Sequence, residues 1–111
     1  MEISHQEIAP DVVVVTLAGK LMLGTNTGAI TSLVDELLSQ GKRTIIFDLT
    51  GISSIDSTGI GRFISSYNKI GSAGAEMRMA GATKQVFQAF HVSLLDTILR
   101  FYPTVEEAVR A

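Results

Sequence analysis

Ile55-Asp56-Ser57-Thr58-Gly59-Ile60-Gly61 stands between two segments with different hydrophobic patterns. The segment before it, Thr44–Leu49, is an almost unbroken apolar run, which is typical of a buried strand. The segment after it carries apolar residues three and four apart, as an amphipathic helix does: Ile60, Phe63, Ile64, Tyr67 and Ile70. The sequence therefore predicts that Asp56, Ser57 and Thr58 lie where the exit loop of a strand turns into a helix.

Small hydroxyl and acidic residues favour this position, because their side-chain oxygens accept hydrogen bonds from the free N–H groups of a helix's first turn. One hydroxyl is then left exposed on a rigid support, at the positive end of the helix dipole. Gly59 and Gly61 each cost a helix interior about 0.5–1 kcal/mol relative to alanine. Their presence indicates a bare backbone surface, needed by the sheet beneath or by an approaching partner. An interpretation in which Asp56, Ser57 and Thr58 only cap the helix remains open.

The composition is that of one small globular domain spanning residues 1–111. Apolar residues make up 46% of the chain and charged residues 18%, and the net charge is −2. With no cluster of Lys and Arg, nucleic-acid binding is not expected, and the absence of cysteine excludes disulfides and thiolate metal sites. The N-terminus lacks a signal-peptide pattern, and no apolar run approaches the roughly 18–20 residues of a membrane span. We expect a cytoplasmic protein without direct membrane contact.

The order of predicted elements favours an α/β fold. Strands are predicted at Glu2–Ile8, Val12–Leu17, Arg43–Leu49, Glu76–Ala80 and Ile98–Phe101. Helices are predicted around Ile30–Leu38, from Ser57 to about Ser72, around Val86–Phe90 and from about Thr104 onward. This alternation predicts a mainly parallel sheet of four to five strands with an N-terminal antiparallel hairpin, covered by about four helices.

The connections and helix ends carry their own expectations. Three segments are predicted to be irregular: Leu21–Gly24, a loop or a brief strand; Gly51–Ile55, a loop; and His91–Thr97, a turn with Leu94 and Leu95 directed inward. Helix ends are predicted from capping residues: Thr25, Asn26 or Thr27 before the first helix, Gly41 after it, and a capping box of Thr104 and Glu107 at the last.

Catalytic motifs that the central stretch partly matches are incomplete. A serine-hydrolase elbow reads Gly-x-Ser-x-Gly, whereas Ser57 is flanked by Asp56 and Thr58. His5 and His91 are both distant from Ser57 in sequence, and such histidines are more often surface or core residues than catalytic bases. An aspartic-protease site would need a second copy of its motif, and the phosphate-binding Gly-x-x-x-x-Gly-Lys-Ser/Thr loop is absent. We expect a protein that is not an enzyme and that uses no metal ion or cofactor.

Three further segments extend the pattern of Asp56–Gly61. They are Val13-x-Val15-x-Leu17-x-Gly19-x-Leu21, Ile45-Ile46-Phe47-Asp48-Leu49 and Gly74-Ala75-Glu76-Met77-Arg78-Met79. With these flanks in register, the chain resembles the STAS domains of bacterial anti-sigma factor antagonists over nearly its whole length, and Asp56–Gly61 is the most specific part. Met22 is a departure, because the family often carries an aspartate there.

The resemblance implies a protein-binding switch. The unmodified form would bind a serine kinase of the histidine-kinase-like ATPase superfamily that doubles as an anti-sigma factor, and so free the sigma factor. The kinase would phosphorylate the serine directly after the aspartate, here Ser57, and a metal-dependent serine phosphatase would reverse the reaction. Modification of Thr58 is a less favoured alternative. Another alternative is a subunit of a membrane-lipid transport complex, in which some STAS domains work without phosphorylation.

A phosphate on Ser57 would add about −1.5 to −2 charge at the helix N-terminus, where free N–H groups and the dipole favour an anion. We therefore expect phosphorylation to leave the fold intact and to repel or block the partner. Asp56 either adds to this negative patch or serves only in capping and loop bonding. Part of the docking surface is predicted on the exposed face of this helix, which is formed by Arg62, Ser66 and Lys69. The alternative is that these three residues form an ordinary solvated face.

Overall fold

The centre of the fold is β3 (Thr44–Ile55), the third of five strands in one sheet. The computed structural model describes residues 1–111. The other elements, in chain order, are β1 (Glu2–Ala9), β2 (Val12–Leu21), α1 (Gly28–Ser39), α2 (Ser57–Ser72), β4 (Glu76–Ala80), α3 (Lys84–Val92), a 3-10 helix (Leu95–Thr97), β5 (Arg100–Tyr102) and α4 (Val105–Arg110). This is the predicted α/β domain, with five strands and four α-helices.

The sheet is mixed, as the alternation of elements predicts. Its strand order follows the chain, β1-β2-β3-β4-β5. β1 and β2 form an antiparallel hairpin, with Ile3 opposite Leu17, whereas every later neighbouring pair is parallel. Parallel neighbours require crossover connections, and α1, α2 and α3 supply the three that are needed.

Two apolar clusters lie on opposite faces of the sheet, because successive strand residues point to alternate sides. The larger cluster includes Val13, Val15 and Leu17 of β2, Ile45, Phe47 and Leu49 of β3, and residues of α1, α2 and α3. On the other face, α4 packs Ala108 against Val14, Ile46 and Ala80. α1, α2 and α3 therefore share one side of the sheet and α4 covers the other.

The strand that leads into the central stretch is longer than predicted. The prediction of a loop at Gly51–Ile55 is wrong, because β2 continues to Leu21 and keeps β3 paired as far as Ile55. The pairing shifts register twice on the way, which breaks the regular alternation that would have revealed a strand. Gly51 permits the close approach, since a Cβ on this residue would lie 3.0 Å from the Cβ of Ala18.

The helix ends agree only in part with the expected caps. Thr27 is the N-cap of α1, but its side chain makes no capping hydrogen bond, so the expected hydroxyl cap is wrong there. Its Oγ1 instead accepts a hydrogen bond from Arg62 Nε at 3.2 Å. Gly41 follows α1 with a φ of +83°, as predicted for a residue that ends a helix. At α4, Thr104 Oγ1 accepts from the N–H of Glu107 at 3.1 Å, which confirms the cap.

The segment between α3 and β5 differs from its prediction. Leu94 is 67% exposed rather than directed inward, and its backbone is left-handed, with a φ of +60°. Leu95 packs against the core cluster as expected. β5 begins at Arg100, two residues later than predicted, because the 3-10 helix occupies Leu95–Thr97 and Leu99 is buried before the strand starts.

Candidate functional site

The candidate site forms where two adjacent parallel strands end. Leu21 and Ile55 are register partners at the carboxyl ends of β2 and β3. The N–H of Asp56 donates to the carbonyl oxygen of Leu21 at 3.2 Å, so the two segments remain hydrogen-bonded for one residue beyond β3. The β2–α1 turn and the start of α2 therefore leave the sheet side by side.

Asp56 joins these two segments through both oxygens of its carboxylate. It is the N-cap of α2, and its Oδ1 accepts from the N–H groups of Thr58 at 2.9 Å and Gly59 at 3.2 Å. Its Oδ2 accepts from the N–H of Leu23 at 2.9 Å. The capping and loop-bonding role proposed for this residue is thus what the geometry shows.

These bonds favour the charged form of the carboxyl group. Hydrogen bonding from the N–H of Leu23 lowers the pKa of Asp56 below its ordinary value, and the N–H groups of Gly59 and Thr58 lower it further. Partial desolvation acts in the opposite direction and is outweighed. Asp56 therefore carries a negative charge at neutral pH, immediately before Ser57.

Ser57 is the first residue of α2, and its side chain is exposed to solvent. The helix runs for 16 residues with no acidic residue in its first turn, so the N-cap carboxylate of Asp56 is the acidic group at its positive end, next to Ser57. Thr58 is half-buried, and its N–H is bonded to Asp56. Of the two neighbouring hydroxyl residues, Ser57 is the more accessible.

The two glycines of the first helical turns have different surroundings. A Cβ on Gly59 would lie 2.4 Å from the carbonyl oxygen of Leu21 and 2.8 Å from Cγ1 of Ile55, so the close packing of α2 on the sheet requires glycine there. A Cβ on Gly61 would meet no atom within 4 Å, and the residue is exposed. The sheet therefore accounts for Gly59, whereas the fold makes no demand for glycine at position 61.

The prediction that Arg62, Ser66 and Lys69 form an exposed face of α2 is wrong for Ser66, whereas Arg62 and Lys69 are half-buried. Ser66 is fully buried, and its hydroxyl donates to the carbonyl oxygen of Arg62 at 2.8 Å. Arg62 is held by Thr27, and Lys69 Nζ lies 2.9 Å from Oδ1 of Asp35 in α1. Positions 62, 66 and 69 form the stripe that faces α1, because the two helices lie side by side on the sheet. The exposed residues of α2 are Ser57, Gly61, Ile64, Tyr67, Asn68, Gly71 and Ser72.

Leu23 is a feature that sequence reasoning missed. It lies two residues after Leu21, the last residue of β2, and is 82% exposed, whereas Leu21 is fully buried. The sequence signal for this feature is a large apolar residue, Leu23, placed directly before Gly24 and the polar residues Thr25 and Asn26. Its backbone bond to Asp56 places it beside the start of α2.

The histidines lie elsewhere. His91 Nδ1 is 2.8 Å from Oδ2 of Asp96, beyond the end of α3, and His5 lies on the edge strand β1. Neither is hydrogen-bonded to Ser57. No group of three or more His, Asp and Glu side chains is placed to hold a metal ion.

Comparison with known proteins decides the family. The family model described as the STAS domain matches residues 5–108. The chain belongs to the STAS domain family. A relative from Thermotoga neapolitana, described as an anti-sigma factor antagonist, is 28% identical over 75 residues, which span 68% of this chain and 66% of that protein.

Solved STAS structures share the whole fold. The crystal structure of an anti-sigma factor antagonist from Thermotoga maritima is 25% identical, with a TM-score of 0.86 over 97% of this chain and 92% of the other. SpoIIAA in its phosphorylated form, a Bacillus cell-fate determinant, has a TM-score of 0.76 at 21% identity, over 98% of this chain and 97% of the other. The latter likeness shows the fold alone. None of the helices of this STAS domain combines the length and apolar character that crossing a membrane requires.

Proposed function

We propose that this STAS domain is an anti-sigma factor antagonist whose binding is switched by phosphorylation of Ser57. The observation that carries the proposal is the placement of one exposed hydroxyl at the N-terminus of α2, on a helix start fixed by Asp56. The relatives described as anti-sigma factor antagonists support the same role.

Accessibility and rigidity suit Ser57 to be a substrate for a kinase. Its side chain is exposed, whereas the next hydroxyl residue, Thr58, is half-buried. α2 is anchored beneath it by Gly59 on the sheet and by Phe63 in the core. A kinase therefore meets the acceptor oxygen in a defined position, without having to order a flexible segment.

The effect of a phosphate follows from the local charges. Asp56 is already ionised, and a phosphoserine at position 57 would add about −1.5 to −2 charge next to it. The dipole of α2 favours that charge within the domain, while the N–H groups of Thr58 and Gly59 are already bonded to Asp56. A partner surface that fits the neutral hydroxyl would have to desolvate the phosphate and the carboxylate together, which is costly unless it supplies cations. Phosphorylation would therefore release the partner without unfolding the domain.

The partners proposed from the family resemblance are two enzymes. One is an anti-sigma factor that is also a serine kinase of the histidine-kinase-like ATPase superfamily, bound while Ser57 is unmodified. The other is a metal-dependent serine phosphatase that restores the hydroxyl. The STAS domain itself is proposed to be non-catalytic.

A pull-down series tests the switch. Tagged wild type, Ser57→Ala, Ser57→Asp and the neighbouring control Thr58→Ala are used to recover the kinase from cells of the source organism, with mass spectrometry of phosphoserine in the wild type. We expect wild type, Ser57→Ala and Thr58→Ala to retain the kinase and Ser57→Asp to lose it. Equal recovery with all four proteins, and no phosphoserine, would replace the switch with a constitutive binding module.

A further inference from the structure

We propose that Leu23 is the apolar anchor of the Ser57 surface, inserting into an apolar pocket of the kinase that phosphorylates Ser57. The inference rests on the proposed function, since it names how the same partner is held. It starts from the exposure of Leu23, which at 82% is the highest among the large apolar side chains of the chain.

The fold gains little from an apolar residue at this position. Leu21, the last residue of β2, is fully buried and belongs to the core, whereas Leu23 lies beyond the sheet and is not part of either apolar cluster. A polar side chain would fit this turn at least as well. Burial within the domain therefore does not explain the leucine, whereas burial against a second protein would.

The turn that carries Leu23 is held rigid. Thr25 closes it through three bonds with Met22: its Oγ1 donates to the carbonyl oxygen at 2.8 Å, its N–H donates to the same oxygen at 3.0 Å, and its Oγ1 accepts from the N–H of Met22 at 3.2 Å. The N–H of Leu23 itself is bonded to Asp56. An apolar side chain on such a turn loses little backbone freedom on binding, which is what distinguishes an anchor residue from a flexible contact.

The position of the turn ties Leu23 to the acceptor serine. Asp56 accepts from the backbone of Leu23 with one carboxylate oxygen and from the first turn of α2 with the other, and Ser57 is the next residue along the chain. On the helix side, Gly61 leaves open space and Ile64 is 39% exposed. A partner that reaches the hydroxyl of Ser57 therefore meets Leu23 on one side and this bare helix surface on the other. The fitting partner surface is an apolar pocket close to its phosphoryl-transfer site.

The test uses the purified kinase recovered on the Ser57→Ala protein. Two measurements are made on wild type, Leu23→Ser, Leu23→Met and Leu94→Ser. One is the dissociation constant of the complex with the kinase, and the other is kcat and KM for phosphorylation of Ser57. Leu94 is the matched control, because it is 67% exposed and lies on the connection between α3 and β5. Melting temperatures establish that all four proteins are folded.

We expect Leu23→Ser to raise the dissociation constant and KM by about tenfold or more, because the complex no longer buries a leucine side chain. The kcat should be largely unchanged. Leu23→Met should remain within about threefold of wild type, and Leu94→Ser should behave as wild type. Wild-type KM for Leu23→Ser, or an equal loss with Leu94→Ser, would overturn the anchor while leaving the switch in place. No phosphate transfer to wild-type Ser57 would overturn the switch and the anchor together.

Discussion

The Cα of Gly59 faces the carbonyl oxygen of Leu21 so closely that a Cβ would lie 2.4 Å from that oxygen. The start of α2 is therefore seated directly on the last residue of β2, and the N–H of Asp56 donates to the same oxygen. The contact between Gly59 and Leu21 therefore fixes the position of Ser57 relative to the end of β2. Its dependence on glycine makes it testable with a single added methyl group.

Alanine at the two glycines should have effects of opposite sign. Gly59→Ala should lower the free energy of unfolding by about 1–3 kcal/mol, because the methyl group meets the backbone and Cβ of Leu21 and the side chain of Ile55. Gly61→Ala should raise it by about 0.5–1 kcal/mol, since the site is open and alanine favours the helix. Urea denaturation of both variants measures the difference, and shifts of the same sign would contradict the assignment of Gly59 to the sheet.

Phe63 holds the middle of α2 in the core. Its ring lies edge-on to Phe47 of β3, with centroids 5.4 Å apart, and packs against Phe90 of α3 at 5.6 Å. We expect Phe63→Ala to lower the free energy of unfolding by about 3–5 kcal/mol, as for other buried aromatic residues. The control is Tyr67→Ala on the same helix, where the side chain is 37% exposed and the loss should be clearly smaller. Denaturant titration followed by circular dichroism compares them, and equal losses would argue against a core role of Phe63.

Local signals in the sequence predicted the helix start, whereas the orientation of the helix depended on its neighbours. The 3.6-residue period located α2, and Asp56 marked its cap, because both act within a few residues. The stripe that α1 covers is set by packing between distant segments, and a small polar residue such as Ser66 fits a close helix contact as readily as solvent. The same limit hid the extension of β3, which exists only because β2 continues beside it.

The charge on Asp56 should make stability depend on pH in the acid range. Its pKa is lowered in the folded state, so the stabilisation is fully present above the unfolded pKa near 3.8 and is lost as the pH falls through the lower folded value. Asp56→Asn replaces one acceptor oxygen with an NH₂ donor. It should therefore lose either the hydrogen bond from the N–H of Leu23 or those from the N–H groups of Thr58 and Gly59. The difference in stability between wild type and Asp56→Asn should be constant between pH 7 and 5 and should shrink below pH 4. A difference that does not change down to pH 2 would show that the charge has no part in it.

Phosphorylation of Ser57 should leave α2 folded. The phosphate would lie at the helix N-terminus, where such a charge contributes about 0.3–1 kcal/mol in favour of the helix. Amide hydrogen exchange of Phe63 and Ile70 in the phosphoprotein should therefore stay within about fivefold of the unmodified protein. Larger changes are expected only at the N–H of Leu23 and in the first turn, because the new charge repels the carboxylate of Asp56. Ser57→Ala treated with the same kinase is the control, and uniform loss of protection along α2 would show that the switch works by melting the helix.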